Sequence, residues 1–289
     1  MSKRGSNEKQ RHLYLVLDDW SQGYSIRKIN LSAEYIRLPL IPADVARGDA
    51  IFTCRVLVFD IHKQTLILGH GSWPRQDVLH PIYISIGGRL FVLGGGSFDM
   101  VYPLPAYDDA NWENFAWSSF KLPNPTFQCD RITSYVVHPD EQTMFVSSAE
   151  EAGVPATFTF KPMMWRRHGP WQLPFTGRGY FVPKLGAWVG LSRDLNTIGH
   201  ICSCNVVSAS SVASHNECPA LKLSKEKLFS DVPAEKHIGA TLVYMGGENK
   251  FCLLEGICTE ADQATDSDET NEDSVGEVNE TDFDKTNED

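Results

Sequence analysis

Apolar side chains along this chain come in short alternating runs. "HLYLVLDDW" from His12 and "YSIRKINL" from Tyr24 read as two strands around a turn at Ser21 to Gly23, with Ser25, Arg27 and Lys28 mostly outward. "RVLVFD" from Arg55 and "TLILGH" from Thr65 make a second hairpin around "IHKQ". The runs are rich in Val, Ile, Phe, Tyr and Trp and are broken by Gly, Pro and Asp clusters roughly every ten residues, which predicts an all-β chain. The nearest approach to a helical period is "LKLSKEKLF" from Leu221, and it is short.

A repeat underlies the strands. "SIGGRLFVLGG", "VVHPDEQTMFVSS", "FVPKLGAWVGLSR" and "VYMGGENKFCLLEG" each place a turn of Gly, Pro or charged residues between two apolar strands. The second strands centre on Phe91, Phe145, Trp188 and Phe251, so the spacings are 54, 43 and 63 residues. Between them, "WSSFKLPNPTF" from Trp117 and "WQLPFTGRGYF" from Trp171 carry Trp, Leu-Pro and an aromatic, with a fainter "YIRLPLIP" from Tyr35. Repeats of this length with four short strands predict β-propeller blades, stacked because one hairpin cannot bury both faces. The Trp and Leu-Pro are then placed to fill the space between neighbours.

The glycines of "LFVLGGGSF", Gly94 to Gly96, end a strand in this scheme, where a tight crossing near the axis leaves little room and demands unusual backbone angles. They do not form G-x-G-x-x-G, no Gly-Lys-Ser/Thr follows, and no helix is signalled after them, so a phosphate cradle is not expected.

At these residues the chain resembles the kelch family of propellers, whose repeat runs apolar residues, Gly-Gly, Tyr, Trp: "LFVLGG", Tyr102 or Tyr107, and Trp112 or Trp117 match that order once. Other repeats depart from it, with Ser147-Ser148 and Ser192-Arg193 in place of the glycines. A more specific resemblance is to a kelch-like plant family expanded in cereal grasses, domain of unknown function 1668. It is carried by "RHLYLVLDDWSQGYSIRKINL", "VLVFDIHKQTLILG", the Trp and Leu-Pro elements and "GHICSCNVVS", over most of residues 11 to 258. That resemblance implies a propeller-like fold and carries no chemistry with it. Kelch propellers are often joined to F-box or BTB modules; the strand pattern here starts by His12, so no such module is expected in the chain.

Charge changes the picture in one place. The net charge is -11 over 289 residues, but residues 260 to 289 hold thirteen Asp or Glu and one Lys, leaving the rest with 24 acidic against 25 basic residues. Electrostatics therefore point away from a nucleic-acid partner for the body. The acidic segment, poor in large apolar side chains, is expected to be disordered, as is the polar stretch 1 to 10, leaving 11 to 259 as the propeller domain. Its Asp266, Asp268 and Asp273 lack the glycine and terminal carboxylate of a calcium loop. No signal peptide and no membrane span are legible, so an intracellular protein, cytoplasmic or nuclear, is expected. Seven scattered cysteines fit reduced core residues better than disulfides.

Candidate chemistry is sparse. His200, Cys202, Cys204, His215 and Cys218 fall within "HICSCNVVSASSVASHNEC", and thiolates with imidazoles are zinc ligands. Cys-x-Cys, however, is not the usual spacing, and in a strand His200, Cys202, Cys204 and Val206 share one face, so core packing is the expectation and no metal or other cofactor is called. "GHGSW" at Gly69 only approaches a nucleophile elbow. Asp18-Asp19 and Asp108-Asp109 read as turn formers. "MWRRHGPW" from Met164 has the composition of an interface, and Trp73, Arg75, Arg166 and Arg167 are the contact candidates. The sequence thus points to a non-catalytic interaction scaffold with a protein partner, on a kelch-like propeller of five or six blades. The alternative is an enzyme or small-ligand binder using the axial channel mouth.

Overall fold

The computed structural model describes residues 12–18, 24–30, 55–60, 65–70, 81–101, 119–149, 154–161, 163–209, 218–246 and 249–259. The expected disordered stretches 1 to 10 and 260 to 289, the "YIRLPLIP" element, and Tyr102, Tyr107, Trp112 and Trp117 lie outside these residues. The chain divides into two compact units, Met1–Cys54 and Arg55–Asp289. Among the described residues the regular elements are all strands apart from two short 3-10 turns, Cys129–Arg131 and Leu195–Thr197. No helix among them is long and apolar enough to cross a membrane.

In the first unit β1 (His12–Asp18) pairs antiparallel with β2 (Tyr24–Asn30). Tyr14 stands opposite Lys28, whose ammonium lies 6.0 Å from the tyrosine ring centre. In the second unit β3 (Arg55–Asp60) and β4 (Thr65–His70) form a hairpin whose bounds coincide with "RVLVFD" and "TLILGH".

Two four-stranded antiparallel meanders follow, and then a third. The first runs β5 (Ile82–Ile86), β6 (Arg89–Gly94), β7 (Ser97–Val101) and β8 (Ser119–Lys121). The second runs β9 (Ile132–Val137), β10 (Met144–Ala149), β11 (Pro155–Lys161) and β12 (Met164–Gly169). The third runs β13 (Phe175–Val182), β14 (Ala187–Ser192), β15 (His200–Asn205) and β16 (Leu221–Lys227). The first strands of the last two meanders touch in parallel, Gly177 opposite Ser134 and Arg178 opposite Tyr135, joining eight strands in the order β12-β11-β10-β9-β13-β14-β15-β16. A long hairpin of β17 (Glu235–Gly246) and β18 (Lys250–Thr259) closes the described chain.

Alternation explains how these sheets are covered on both sides. On β10, Met144 and Val146 face a cluster shared with Ile84, Phe91, Leu93 and Phe98 of the first meander, while Phe145 between them faces a cluster shared with Phe175, Trp188 and Cys202 of the third. A third cluster, Leu191, Phe229 and Leu242, packs the third meander against β17 and β18. The second and third meanders therefore each bury one face on the preceding sheet and the other on the following one, the arrangement that a period-2 pattern with both parities apolar demands. Phe98, fully buried, holds Phe91, Phe160 and Trp165 at centroid distances of 5.8, 4.8 and 5.2 Å.

The inter-meander crossings sit where the Leu-Pro elements were expected to act. Leu122, after β8, is buried in the first cluster and its N–H donates to Phe98 O at 2.8 Å. Trp171 and Leu173, after β12, are buried in the second. A hydroxyl relay secures that second crossing. Leu173 N–H donates to Ser147 Oγ (2.9 Å), Ser147 is hydrogen-bonded to Thr157 Oγ1 (2.9 Å), and Thr157 donates to Trp171 O (2.6 Å). Ser147, at a position where the kelch pattern has glycine, thus satisfies backbone that no strand pairs.

Gly94 to Gly96, expected at a crowded strand end, belong to an open hairpin turn. Gly95 and Gly96 have φ of 52° and 75° between the paired Gly94 and Ser97, the two-residue geometry that follows strand twist, and Gly87 and Gly88 repeat it between Ile86 and Arg89. A Cβ on Gly96 would meet nothing within 4 Å, so backbone angle and not crowding requires glycine there. Crowding acts instead in the third meander, where a Cβ on Gly179 or Gly190 would stand 2.3 or 2.6 Å from Phe175.

Candidate interaction surface

The two ends of the eight-stranded sheet are β12 and β16, each paired on one side only among the described residues. On β12 the expected interface motif is a strand. Trp165 is buried against Phe98, Phe127 and Phe160. His168, three residues on and so on the opposite face, stacks edge-on against Phe145 (4.9 Å) and Trp171 (5.7 Å). Arg166 and Arg167 remain exposed, and beside them Met163 and Met164 are 43% and 53% exposed. Arg166 Nε lies 3.5 Å from Met164 Sδ, so cation and thioether lie together on the edge. Met163 also turns the chain into β12 at a φ of 66°, costly for a residue with a Cβ. Trp73 and Arg75 lie outside the described residues.

Two members of the His and Cys group are core residues. Cys202 and Cys204 are buried on one face of β15, as the alternation predicted, with Cys202 Sγ 3.5 Å from Pro174 O. Burial pushes both thiols up to about 12, which keeps them protonated and unreactive near neutral pH. His200 is half-buried and turns its Nδ1 to Ser224 O, 3.1 Å away on β16. Cys218 is exposed and contacts Gln172 O at 3.4 Å, and His215 lies outside the described residues. Among the described residues no group of three or more His, Cys, Asp or Glu is placed to hold a metal ion. Of the carboxylate pairs, Asp18 ends β1, while Asp19, Asp108 and Asp109 lie outside the described residues.

A carboxylate that sequence reading passed over organises the turn between β9 and β10. Asp140 Oδ1 accepts from the N–H groups of Gln142 and Thr143, each at 2.9 Å, Oδ2 accepts from Thr143 Oγ1 at 2.8 Å, and Lys161 Nζ lies 3.8 Å away. Partial burial works to raise this acid, but the convergent hydrogen bonds outweigh it and lower its pKa to about 2. This network shapes a turn.

The reading also missed Arg178. β13 bulges so that Thr176 faces Leu191 and Tyr180 faces Val189, setting Gly177, Arg178 and Gly179 against Gly190 alone, two residues more than the partner strand has, at the parallel join with β9. Gly177, at φ 63°, permits the bulge, and exposed Arg178 lies with its guanidinium 4.9 Å from the Tyr180 ring centre. Tyr180 in turn packs near Tyr244 and Phe251, at 6.2 and 6.4 Å. Burial raises the phenols of Tyr135 and Tyr180, and the Arg178 charge opposes the rise in both. No carboxylate among the described residues pairs with Arg178. The available signal was the Gly-Arg-Gly tripeptide inside a strand, where glycine has no propensity reason to sit.

No curated protein matches the chain, and no solved structure does. A family model, described as protein of unknown function (DUF1668), matches residues 10–289, well over half of the chain. The chain therefore belongs to the DUF1668 family.

Proposed function

We propose that this protein is a non-catalytic interaction scaffold, a kelch-like β-propeller of five or six blades acting inside the cell, that docks a protein partner along the exposed edge of β12. The propeller reading draws its support from three consecutive four-stranded meanders packed face to face in chain order, with first strands meeting in parallel where blades would converge on an axis. A closed ring predicts that deletion of residues 1 to 18 causes global loss of hydrogen-exchange protection. Protection retained around Phe91 and Phe145 would speak for an open stack.

The observation that carries the docking reading is the Arg166, Arg167, Met163 and Met164 surface on a strand whose outer side is unpaired among the described residues. Arg and Met are enriched in interfaces, and an unpaired edge offers a row of main-chain hydrogen-bonding groups to an extended segment. The test is quantitative affinity purification from the native tissue with the wild type and the Arg166→Glu/Arg167→Glu variant side by side. A partner retained by the first and lost by the second, at equal thermal midpoint, supports the reading; partners captured equally by both would sink it.

A second reading, a small-anion binder at the axial mouth, draws support from Arg178 between Tyr135 and Tyr180 on the first strands. Thermal-shift titration with inorganic phosphate and simple carboxylates, with Arg178→Ala as the control, separates it from the first.

A further inference from the structure

β16 differs from an ordinary protected edge. Six of its seven residues are exposed, three of them Lys222, Lys225 and Lys227, and Leu221, Leu223 and Leu228 are 43%, 42% and 41% exposed. Lysines on an edge strand repel stray strands, which accounts for the charges. It does not account for Leu221 and Leu223, which stand opposite Cys204 and Cys202 and continue the apolar face of β15 into solvent. Asp231 pairs with Lys227, whereas Lys222 and Lys225 have no carboxylate partner among the described residues. The surface asks for an occupant that is acidic, extended and partly apolar.

Such a segment belongs to the same chain and begins nearby. β18 ends at Thr259, which pairs with Glu235 of β17. The stretch after β16 is tied to that same end of the hairpin: Ser230 N–H donates to Glu255 Oε2 at 3.2 Å, and Ser230 Oγ donates to Glu235 Oε2 at 2.6 Å. Thr259, from which residues 260 to 289 with thirteen acids and one Lys continue, thus pairs with a residue bonded to the stretch that follows β16. Within them Val275, Val278 and Phe283 are interspersed with Glu277, Glu280, Asp282 and Asp284, the mixture that β16 presents in opposite charge.

We propose that the acidic segment 260–289 docks in cis along the edge of β16, its carboxylates on Lys222, Lys225 and Lys227 and its apolar residues on Leu221 and Leu223. Each exposed ion pair is weak, about 0.2–1 kcal/mol, and screened by salt. Attachment at Thr259 compensates, because a tethered segment meets its site at an effective concentration in the millimolar range. The docked segment would reserve this edge, so that any acidic extended peptide of another protein must displace it. The proposal stands independently of the β12 reading.

Zero-length carbodiimide coupling on the full chain tests it, since it joins a lysine amine to a carboxylate only where the two already touch. Peptide mapping by mass spectrometry should find residues 260–289 joined to Lys222, Lys225 or Lys227 severalfold more often than to Lys121, Lys161 or Lys184, which are also exposed. The yield should not depend on protein concentration and should fall severalfold between about 0.05 M and about 1 M NaCl, as a contact screened over a few ångströms must. In the full-length Lys222→Glu/Lys225→Glu variant, coupling of residues 260–289 to Lys227 should be lost. Thirty residues reach as far as about 100 Å, so indiscriminate tethering would label all six lysines alike. That result, coupling only between chains, or coupling of residues 260–289 to Lys227 unchanged in the variant would each overturn the proposal.

Discussion

The two edges of the eight-stranded sheet end the same architecture with different chemistry. β12 sits beside a dense cluster of aromatic rings: Trp165 and His168 point inward on opposite faces, so its outward surface is confined to Arg166, Arg167 and the methionines. β16 has no such anchors. Its side chains are exposed on both faces, and the next buried residue is Phe229, beyond its end, stacked on His237 at 4.1 Å. An edge anchored by two buried rings can present a rigid surface to a partner. An edge without them must be protected by charge or covered.

This comparison can be broken at its shared centre. Trp188 is fully buried against Phe145, 5.1 Å away, between the meanders that end in β12 and β16. Trp188→Ala should destabilise the unit by about 3–5 kcal/mol, lowering the thermal midpoint by roughly 10 °C. Hydrogen exchange should show both edges losing protection together. Loss at β16 with β12 intact would mean that the two meanders fold separately.

Ser147→Ala strikes the crossing from β12 to β13. It leaves the buried Leu173 N–H without its acceptor, and the expected cost is about 1–3 kcal/mol in chemical denaturation. An unchanged midpoint would show that the relay is dispensable.

Thiol labelling sharpens the contrast without unfolding anything. Cys218, exposed and three residues before β16, should react with iodoacetamide near neutral pH well before Cys202 and Cys204, whose buried thiols titrate only at about 12. Equal rates by mass spectrometry would mean that the β15 face opens to solvent.

The smallest effect concerns acid. The folded-state pKa of Asp140, about 2, lies below its ordinary 3.8, so its contribution is complete above pH 3.8 and is lost as pH falls through about 2. Asp140 ties the β9–β10 turn to Lys161 at the end of β11, next to β12. Asp140→Asn should flatten the stability profile over that window by about 1 kcal/mol, reduced from the full shift because the carboxylate is partly exposed. A profile identical to wild type would remove Asp140 from the acid response.

Much of the local structure was legible. The bounds of β3 and β4, the turn at Gly87 and Gly88, the buried Cys202 and Cys204 and the inter-meander placing of Leu122 and Leu173 all follow from alternation and turn chemistry, which are local properties, whereas Gly94 to Gly96 form an open hairpin turn and not a crowded crossing. "LKLSKEKLF" was less so: its spacing was the nearest to helical in the chain, yet it lies along β15 as β16, because pairing with an adjacent strand outweighs a weak local period. Arg178 was missed because a bulge is defined by the partner strand, and a one-dimensional pattern has no partner.

By itself, the amino-acid order determined the strand character, the turns, the repeat and the concentration of negative charge in residues 260 to 289. Each depends on which side chains are adjacent or two apart, and period-2 alternation needs no other information. Tertiary structure alone decided which parity of β10 meets the first meander and which the third, that β9 and β13 join in parallel, and that β12 and β16 become the ends of one sheet. An apolar residue specifies that it must be buried but not against what, because the hydrophobic effect has no direction. Partner choice came from shape, backbone pairing and the space left by Gly179 and Gly190 for the ring of Phe175.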